Sequence, residues 1–478
     1  MSRRWLVNSW LVTFPLVLLS LVVIVLAGHP LFDPDLGWNL AGGLWIIDSL
    51  QIPTVDPLAA LARPWIDYCF LPQILFALVF KSLGFFGLVL LQIVGPVLIL
   101  LSGGFFIFGK FAPENTSTIK KLTPVALLAA LILFIVPVFH LRPQLFSLLF
   151  FILFLRWRAE SKNTAGLLLI MIPWVNTHVY WVFAPVILIT DFVSTRLITG
   201  RNEVKFSDVM LSLLLPVVSP YGVRNYLPIV QYSLFHSHVK ELIQEFQPLF
   251  SIEGYLLPAT FLMIFAIIYF ARTRQVRFED LVLALLFFAL SLWQLKFTPL
   301  FGVFGVMVLA NTRIGYFVRT SFQQRMFVYS LCLSLSVLAA LIISPKVGET
   351  QRELLDIGIE VSRVNQNVFN PFNFGGWLEL GVYLANKDSL AKPWIDGRTL
   401  VMGEERLSEY FSTYSDLVKF KSFLAQNQLS YLVLKKNSKL SSLVLGEKTS
   451  IEYQTENFLF IKTGFEFLFD SILCFYFV

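Results

Sequence analysis

The stretch Asp33-Pro34-Asp35-Leu36-Gly37-Trp38-Asn39-Leu40 follows the first long apolar run and places two carboxylates beside it. Ionised side chains next to the apolar core of a membrane are costly, and they are therefore usually functional. From Gly28 to Pro72 the chain carries five aspartates and a single base, Arg63. Such a loop can attract a divalent cation or take a proton from a hydroxyl group. A solvated loop of a transporter would have a similar composition.

The overall composition is that of a protein with many membrane spans. The chain has 478 residues, of which 56% are hydrophobic and 14% charged, and its mean hydropathy is +0.71. An upright span needs about 20 apolar residues, and five runs approach or exceed that length: 10–28, 84–108, 122–139, 254–271 and 326–343. Six shorter runs predict helices that stop early and leave a cavity: 144–156, 164–175, 179–194, 207–218, 281–295 and 298–311. The sequence therefore predicts a polytopic α-helical membrane protein with about eleven transmembrane helices.

The distribution of basic residues predicts the orientation of these spans. Lys and Arg collect on the cytoplasmic side of membrane proteins. With Met1 in the cytoplasm, 17 bases before Pro345 fall inside and 6 fall outside. Because the number of spans is odd, the polar region that starts at Lys346 is predicted to be extracytoplasmic. The net charge of +6 follows from the inner loops and indicates no nucleic-acid partner.

The composition changes at Lys346, which divides the chain into predicted domains. Residues 1–345 form the transmembrane domain, with a first outer loop over 29–72, and residues 346–464 form a small α/β extracytoplasmic domain. β-prone runs at 367–369, 393–395, 431–434 and 458–461 alternate with helical patterns at 403–411 and 415–426, which is typical of that class. Residues 465–478 form an apolar tail without an assigned role.

Several of these stretches resemble the first outer loop of the GT-C superfamily. They are Asp33-Pro-Asp-Leu-Gly-Trp-Asn-Leu, Gly43-Leu-Trp-Ile-Ile, Ile52-Pro-Thr-Val-Asp-Pro and Arg63-Pro-Trp-Ile-Asp67. GT-C proteins are multispanning glycosyltransferases that take a sugar from a polyprenyl-phosphate or diphosphate carrier, and they include the oligosaccharyltransferases. Later pieces are similar to an uncharacterised bacterial branch: Arg142-Pro-Gln, Asn176-Thr-His178, Ser219-Pro-Tyr-Gly, Glu245-Phe-Gln-Pro, Gly375-Gly-Trp and Ile395-Asp-Gly-Arg398. The Trp-Trp-Asp signature of oligosaccharyltransferases is absent, so the resemblance does not imply a peptide-asparagine acceptor.

The resemblance implies a role for the loop carboxylates. In that class an acidic residue of the first outer loop binds metal or acts as the catalytic base. Asp35 matches it best, because it precedes an aromatic-Asn pair, and Asp33 matches second. Both are candidates for a Mg²⁺ or Mn²⁺ site. Trp38 and Asn39, which form that pair, are expected to bind substrate.

Four further candidates follow from their predicted positions at the outer ends of short helices. Arg142 and Lys296 are cations that can hold a lipid phosphate, and His178 and Glu245 are expected to line the same cavity. For Lys296, snorkelling to the lipid headgroups explains the position equally well.

Together these features predict an inverting glycosyltransferase of the bacterial inner membrane. It would move a sugar from a polyprenyl-phosphate carrier in the bilayer to an extracytoplasmic glycan, lipid or protein acceptor. Two other classes stay open: a transporter or flippase for lipid-linked sugars or polysaccharide, and a non-catalytic assembly subunit. Acids clustered in one outer loop favour the enzyme, whereas a transporter should show inverted repeats and charges at mid-membrane.

Overall fold

The computed structural model describes residues 33–60, 63–109, 118–160, 163–197, 200, 204–234, 243–312, 348–413, 417–445 and 449–464. The predicted spans at 10–28 and 326–343 and the tail at 465–478 lie outside these residues. The rest divides into two compact units. The helical unit comprises the described residues of Leu83–Tyr226 and Lys240–Pro345. The α/β unit comprises those of Phe32–Ser82, Leu227–Val239 and Lys346–Val478.

The described residues are mostly helical. In chain order the α-helices are α1 (Leu36–Ser49), α2 (Phe70–Gly109), α3 (Thr118–Ile135), α4 (Pro143–Glu160), α5 (Thr164–Trp174), α6 (Phe183–Leu197), α7 (Phe206–Leu214), α8 (Leu227–Leu234), α9 (Leu256–Arg272), α10 (Phe278–Trp293), α11 (Thr298–Ala310), α12 (Glu349–Val361), α13 (Gly375–Ala385), α14 (Thr399–Met402), α15 (Glu404–Thr413), α16 (Leu417–Gln426) and α17 (Lys439–Leu445). Helix α2 is interrupted at Gly84, whose φ of 59° is left-handed, a conformation that glycine adopts without steric cost.

The helical unit is built around α11, whose residues are almost all buried. A helix that is apolar on every side must be enclosed by others, and α11 packs against α3, α9, α10 and α4. Glycine permits the closest of these contacts, because a Cβ at Gly302 would lie 2.1 Å from the ring of Phe134. Pro299 at the first turn fixes the start of the helix.

Buried charges tie three helices of this unit together. Arg158 of α4 donates from Nε to Asp191 of α6 at 2.7 Å and from Nη1 to Asp280 of α10 at 2.7 Å. All three side chains are nearly inaccessible to solvent. A buried charge is tolerated only when it is paired in this way, so this cluster fixes where α4, α6 and α10 meet.

The prediction of about eleven spans is wrong for the part of the chain that the structure describes. Two helices there are long and apolar enough to cross a membrane, Phe70–Ile107 and Val179–Arg196. A bent pair, Phe206–Val218 and Gly222–Gln231, makes a third if it counts as one span. The shorter apolar helices have 10–17 residues. At a rise of about 1.5 Å per residue they are shorter than an apolar core of about 30 Å.

The α/β unit contains a four-stranded sheet of β1 (Val368–Phe369), β2 (Tyr431–Lys435), β3 (Thr449–Gln454) and β4 (Phe458–Thr463). Its order is β1-β2-β4-β3. Strands β1 and β2 are parallel, with Val368 opposite Tyr431, whereas β4 runs antiparallel to both β2 and β3. The inner strands β2 and β4 are largely buried and β3 is exposed. The residues after Lys346 thus carry a small four-stranded sheet with helices beside it, in one compact unit with the described residues of Phe32–Ser82 and Leu227–Val239.

Glycine pairs bring three helices of the α/β unit together. A Cβ at Gly37 of α1 would lie 2.4 Å from the carbonyl carbon of Gly376 in α13. A Cβ at Gly358 of α12 would lie 2.7 Å from Gly381 of α13. Both positions allow backbone to approach backbone, which any larger residue would prevent. As a result the start of α1, with Asp33 and Asp35, packs directly against α13.

Candidate functional site

The two loop carboxylates occupy the turn that begins α1. Asp35 is the N-cap residue of this helix, and its side chain does not cap it. Instead, Asp33 Oδ1 accepts the backbone N–H of Asp35 at 2.8 Å. The amide of Asn39 donates to the backbone carbonyl of Asp35 at 2.8 Å. Asp33 is buried, whereas Asp35 is partly exposed. The turn is thus held by its own side chains, and Asp35 is the more exposed of its two aspartates.

The C-terminal part of the α/β unit contacts this turn directly. The indole N–H of Trp377 donates to the backbone carbonyl of Asp33 at 3.1 Å. The carboxylate of Asp35 lies against Gly397, where a Cβ would come within 2.0 Å of Asp35 Oδ1. The start of α13, with Trp377, and the segment around Gly397 therefore both contact the acidic turn.

Beside this turn, three carboxylates surround the guanidinium of Arg398; we call Arg398, Asp56, Glu379 and Asp396 the Arg398 cluster. Arg398 Nη1 donates to Asp56 at 2.8 Å, and Nη2 donates to Glu379 at 3.1 Å and also to Asp396. The rings of Trp65 and Trp38 lie 4.9 and 5.6 Å from the guanidinium, within cation–π range. All four side chains are buried, so this cluster places one cation and three acidic groups inside the unit.

The protonation states of the Arg398 cluster follow from burial and from one another. Burial, with the charge of Asp396 second, raises the pKa of Glu379 well above its ordinary value. Burial alone would also raise the pKa of Asp396, but the charge of Arg398 holds it below its ordinary value. The carboxylates in turn hold the pKa of Arg398 well above its ordinary value against the effect of burial. Burial therefore favours the neutral form of Glu379, whereas the charge of Arg398 favours the ionised form of Asp396.

Asp67, the last aspartate of the loop, is fully buried. Its Oδ1 accepts the amide of Gln73 at 2.9 Å and the thiol of Cys69 at 3.2 Å. Its Oδ2 has no hydrogen-bond partner within the described residues. Burial raises the pKa of Asp67 to about 7, although the hydrogen bonds from Cys69 lower it. The Asp67 carboxyl group consequently titrates near neutral pH.

Arg142, Glu245 and Lys296 lie around a small cavity in the helical unit. The cavity has a volume of about 80 Å³ and is also lined by His140. Arg142 Nη1 lies 3.3 Å from Glu245 Oε2. Lys296 Nζ lies over the ring of Phe246 at 4.1 Å. Two cations therefore meet at one cavity, one of them beside a carboxylate.

His178 lies close to the same group of residues. Its ring contacts the ring of Tyr180 edge-on at 4.4 Å, and the Tyr180 hydroxyl donates to the backbone carbonyl of Lys296 at 2.8 Å. Burial, followed by the charges of Lys296 and Arg142, lowers the pKa of His178 to about 3. The imidazole is therefore neutral at physiological pH, and it can take part in hydrogen bonds but adds no charge.

The predicted site residues fall into two groups. Asp33, Asp35, Trp38 and Asn39 belong to the α/β unit, and Arg142, His178, Glu245 and Lys296 belong to the helical unit. The Arg398 cluster is not among the predicted site residues. In the sequence Asp56 is one of five loop aspartates, and Asp396-Gly397-Arg398 is one piece of the resemblance. The three acids come together around the buried side chain of Arg398, and burial is not visible in the sequence.

Asp33 and Asp35 are the candidate cation ligands at the acidic turn. No group of three or more His, Cys, Asp or Glu side chains within the described residues has the arrangement of a metal site. Asp33 Oδ1 accepts a backbone N–H. The three carboxylates that converge elsewhere in the α/β unit surround the guanidinium of Arg398. Mg²⁺ is usually bound through one or two carboxylates together with waters and substrate phosphates, so Asp33 and Asp35 would supply only part of its ligands.

No family model and no curated protein matches the sequence. Among solved structures, the chain is similar to the crystal structure of the Archaeoglobus fulgidus oligosaccharyltransferase in the apo form, with a TM-score of 0.59 and 13% sequence identity. The likeness covers 90% of this chain and 70% of that chain. At this identity it is a likeness of fold. The chain thus has a fold similar to that of an archaeal oligosaccharyltransferase.

Proposed function

We propose that the protein is a membrane glycosyltransferase that moves a sugar from a polyprenyl-phosphate carrier to an extracytoplasmic acceptor. The observation that carries the proposal is the fold likeness over 90% of the chain, combined with a partly exposed carboxylate, Asp35, at the start of α1. Fold alone does not fix an activity, so the carboxylate supplies the chemical part of the argument.

In this proposal Asp35 is the catalytic base. The acceptor hydroxyl gives its proton to the Asp35 carboxylate as the acceptor oxygen bonds to the anomeric carbon. The bond from that carbon to the carrier phosphate breaks on the opposite face, so the configuration inverts. Positioned bases of this kind contribute about 10²- to 10⁴-fold to a rate. Asp33 supports Asp35 by accepting its backbone N–H, and Trp38 and Asn39 would contact the substrate.

The proposal assigns the leaving phosphate to Arg142 and Lys296. Positive charge stabilises the negative charge that develops on the leaving group. Neutral His178 would add a hydrogen bond without charge, because its pKa is about 3. Glu245 lies 3.3 Å from Arg142, so it competes with a phosphate for that cation and would favour release of the product.

The proposal also includes a location. The enzyme would lie in the bacterial inner membrane with the N-terminus in the cytoplasm and the α/β unit outside. A reporter fused after Lys346 should be active only outside the cytoplasm. A cytoplasmic reporter signal would contradict an extracytoplasmic reaction.

The first experiment is a mass spectrum of surface glycans and glycolipids from cells with the protein, without it, and with Asp35→Asn at equal protein level. We expect one sugar-bearing species to disappear in both altered strains, and its mass identifies the sugar. Asp48→Asn is the matched control, because Asp48 lies on the same helix and is paired with Lys81 at 2.7 Å. Its strain should retain the species.

If deletion removes the species but Asp35→Asn keeps it, the protein carries a substrate or supports an assembly, and the proposal is wrong. The expected divalent cation has its own test. Loss of activity in EDTA with recovery in Mg²⁺ or Mn²⁺ would support a cation at Asp33 and Asp35. Full activity in EDTA would assign Asp35 the role of a plain base.

A further inference from the structure

The backbone of Asp35 is fixed from both sides. Its N–H donates to Asp33 Oδ1 at 2.8 Å, and its carbonyl accepts the Asn39 amide at 2.8 Å. Two residues earlier, the carbonyl of Asp33 accepts the Trp377 indole N–H at 3.1 Å. Because the backbone cannot shift freely, the position of the carboxylate depends on what the side chain packs against.

The surface behind the Asp35 side chain is Gly397. A Cβ on this residue would lie 2.0 Å from Asp35 Oδ1 and 3.1 Å from Asp35 Cγ, whereas ordinary contact begins at 3.4 Å. The carboxylate thus rests against a glycine Cα with no room for a methyl group. A Cβ at this position would move the carboxylate oxygen by about 1.4 Å, the difference between 3.4 Å and 2.0 Å.

Gly397 itself cannot retreat, because both of its neighbours belong to the Arg398 cluster. Arg398 Nε donates to both oxygens of Asp396 at 3.0 Å, and its backbone N–H donates to Asp396 at 2.6 Å. Arg398 is in turn held by Asp56 and Glu379 from two other segments. Just before the turn, the carbonyl of Ile395 accepts the Asn370 amide at 2.7 Å.

We propose that Gly397 is a positioning residue for Asp35 and that the Arg398 cluster keeps it in place. The inference rests on the proposed function, since it assumes that Asp35 is the base. It assigns the cluster a purpose beyond stability. The three buried carboxylates and their shared guanidinium fix the surface against which the reactive carboxylate is aligned.

The test compares turnover and substrate affinity in Gly397→Ala. The purified full chain is reconstituted in vesicles with a membrane lipid extract from deletion cells, which retain unconsumed donor and acceptor. Product is quantified by mass as the extract is diluted, and rates are normalised to the monodisperse protein recovered by size exclusion. Since misplacing a reacting group by about 1 Å can cost about 100-fold, we expect kcat to fall about 100-fold. The apparent KM should change less than about twofold.

Gly381→Ala is the matched control. Its Cβ would meet the carbonyl oxygen of Leu355 at 2.6 Å, a comparable clash in the same unit without contact to Asp35. We expect a lower yield of folded protein and an unchanged kcat for the fraction that folds. If Gly397→Ala does not fold, Arg398→Lys decides by the same criteria, because lysine keeps the charge but loses the planar fork. We expect a fall in kcat of about tenfold for that variant.

The outcomes separate the two claims. If Asp35→Asn abolishes product while Gly397→Ala, or Arg398→Lys in its place, keeps the wild-type kcat, the positioning role is refuted and the proposed function stands. An equal loss of kcat in Gly381→Ala would also refute it, since any packing defect would then suffice. If Asp35→Asn keeps full activity, the proposed function is wrong, and the positioning role is overturned with it.

Discussion

Asp67 offers the sharpest test of the electrostatics of the α/β unit. The carboxyl group is fully buried, and its pKa is raised to about 7. Asp67→Asn keeps an oxygen that can accept from Cys69 and Gln73. It replaces the ionisable Oδ2, which has no partner among the described residues, with a neutral amide. The substitution therefore removes a charge without changing the shape of the site.

The magnitude follows from the two pKa values. The unfolded chain ionises Asp67 near 3.8, whereas the folded chain keeps the proton until about 7. Between these values the folded state binds more protons, so the free energy of unfolding falls as the pH rises. Each tenfold change in a proton equilibrium is worth about 1.4 kcal/mol, and the loss approaches about 4 kcal/mol above pH 7. About 3 kcal/mol of it falls between pH 5 and pH 8.

The assay is the temperature at which half of the full chain in detergent loses its monodisperse size-exclusion peak, measured from pH 5 to pH 8. We expect the difference in midpoint to shift in favour of Asp67→Asn as the pH rises. Asp48→Asn is the control. The hydrogen bond from Lys81 lowers the pKa of Asp48, so Asp48 is ionised in both states throughout this range. Its substitution should change the midpoint by one constant amount.

An identical pH dependence in wild type and Asp67→Asn would refute the reasoning, because the folded state would then not hold an extra proton at Asp67. A pH dependence in Asp48→Asn as large as that of Asp67→Asn would refute it as well, because the effect would not depend on burial.

Three further predictions concern the helical unit. Glu245→Gln removes a partly exposed partner of Arg142; such pairs are worth about 0.2–1 kcal/mol, so the apparent KM for the lipid donor should fall by up to about fivefold in the vesicle assay. Gly302→Ala places a methyl group 2.1 Å from Phe134, and the resulting overpacking should cost about 1–3 kcal/mol, seen as a lower thermal midpoint. Arg158→Met leaves two buried carboxylates without their shared cation and should cost about 3–5 kcal/mol; an unchanged midpoint would contradict the burial of this cluster.

Local pattern was enough to predict most of the regular elements. The apolar run at 164–175 corresponds to α5 (Thr164–Trp174), and the β-prone runs at 431–434 and 458–461 correspond to β2 and β4. Strand β3 was not predicted, although Ile451 and Tyr453 alternate with polar residues as in a half-buried strand. Five of its six residues are exposed.

Contacts between residues far apart in the chain could not be predicted from the sequence. Arg398 and Asp56 are 342 positions apart, and no local pattern marks them as partners. The predicted orientation of the spans counts Arg158 among the 17 cytoplasmic bases. Its side chain is instead buried against Asp191 and Asp280. Short helices were read as membrane spans because composition cannot separate a helix enclosed by protein from one enclosed by lipid.

The crossing of Gly37 and Gly376 has a consequence for biosynthesis. The acidic turn is among the first parts of the α/β unit to be made, but the indole that holds Asp33 lies 344 positions later. Contacts between residues so far apart in sequence form only after the chain between them has left the ribosome. The nascent protein must therefore keep its acidic loop in an unfinished state until Trp377 and Gly397 have been made. If Asp35 is the base, as we propose, activity depends on the synthesis of Gly397, 362 positions after the carboxylate that it aligns.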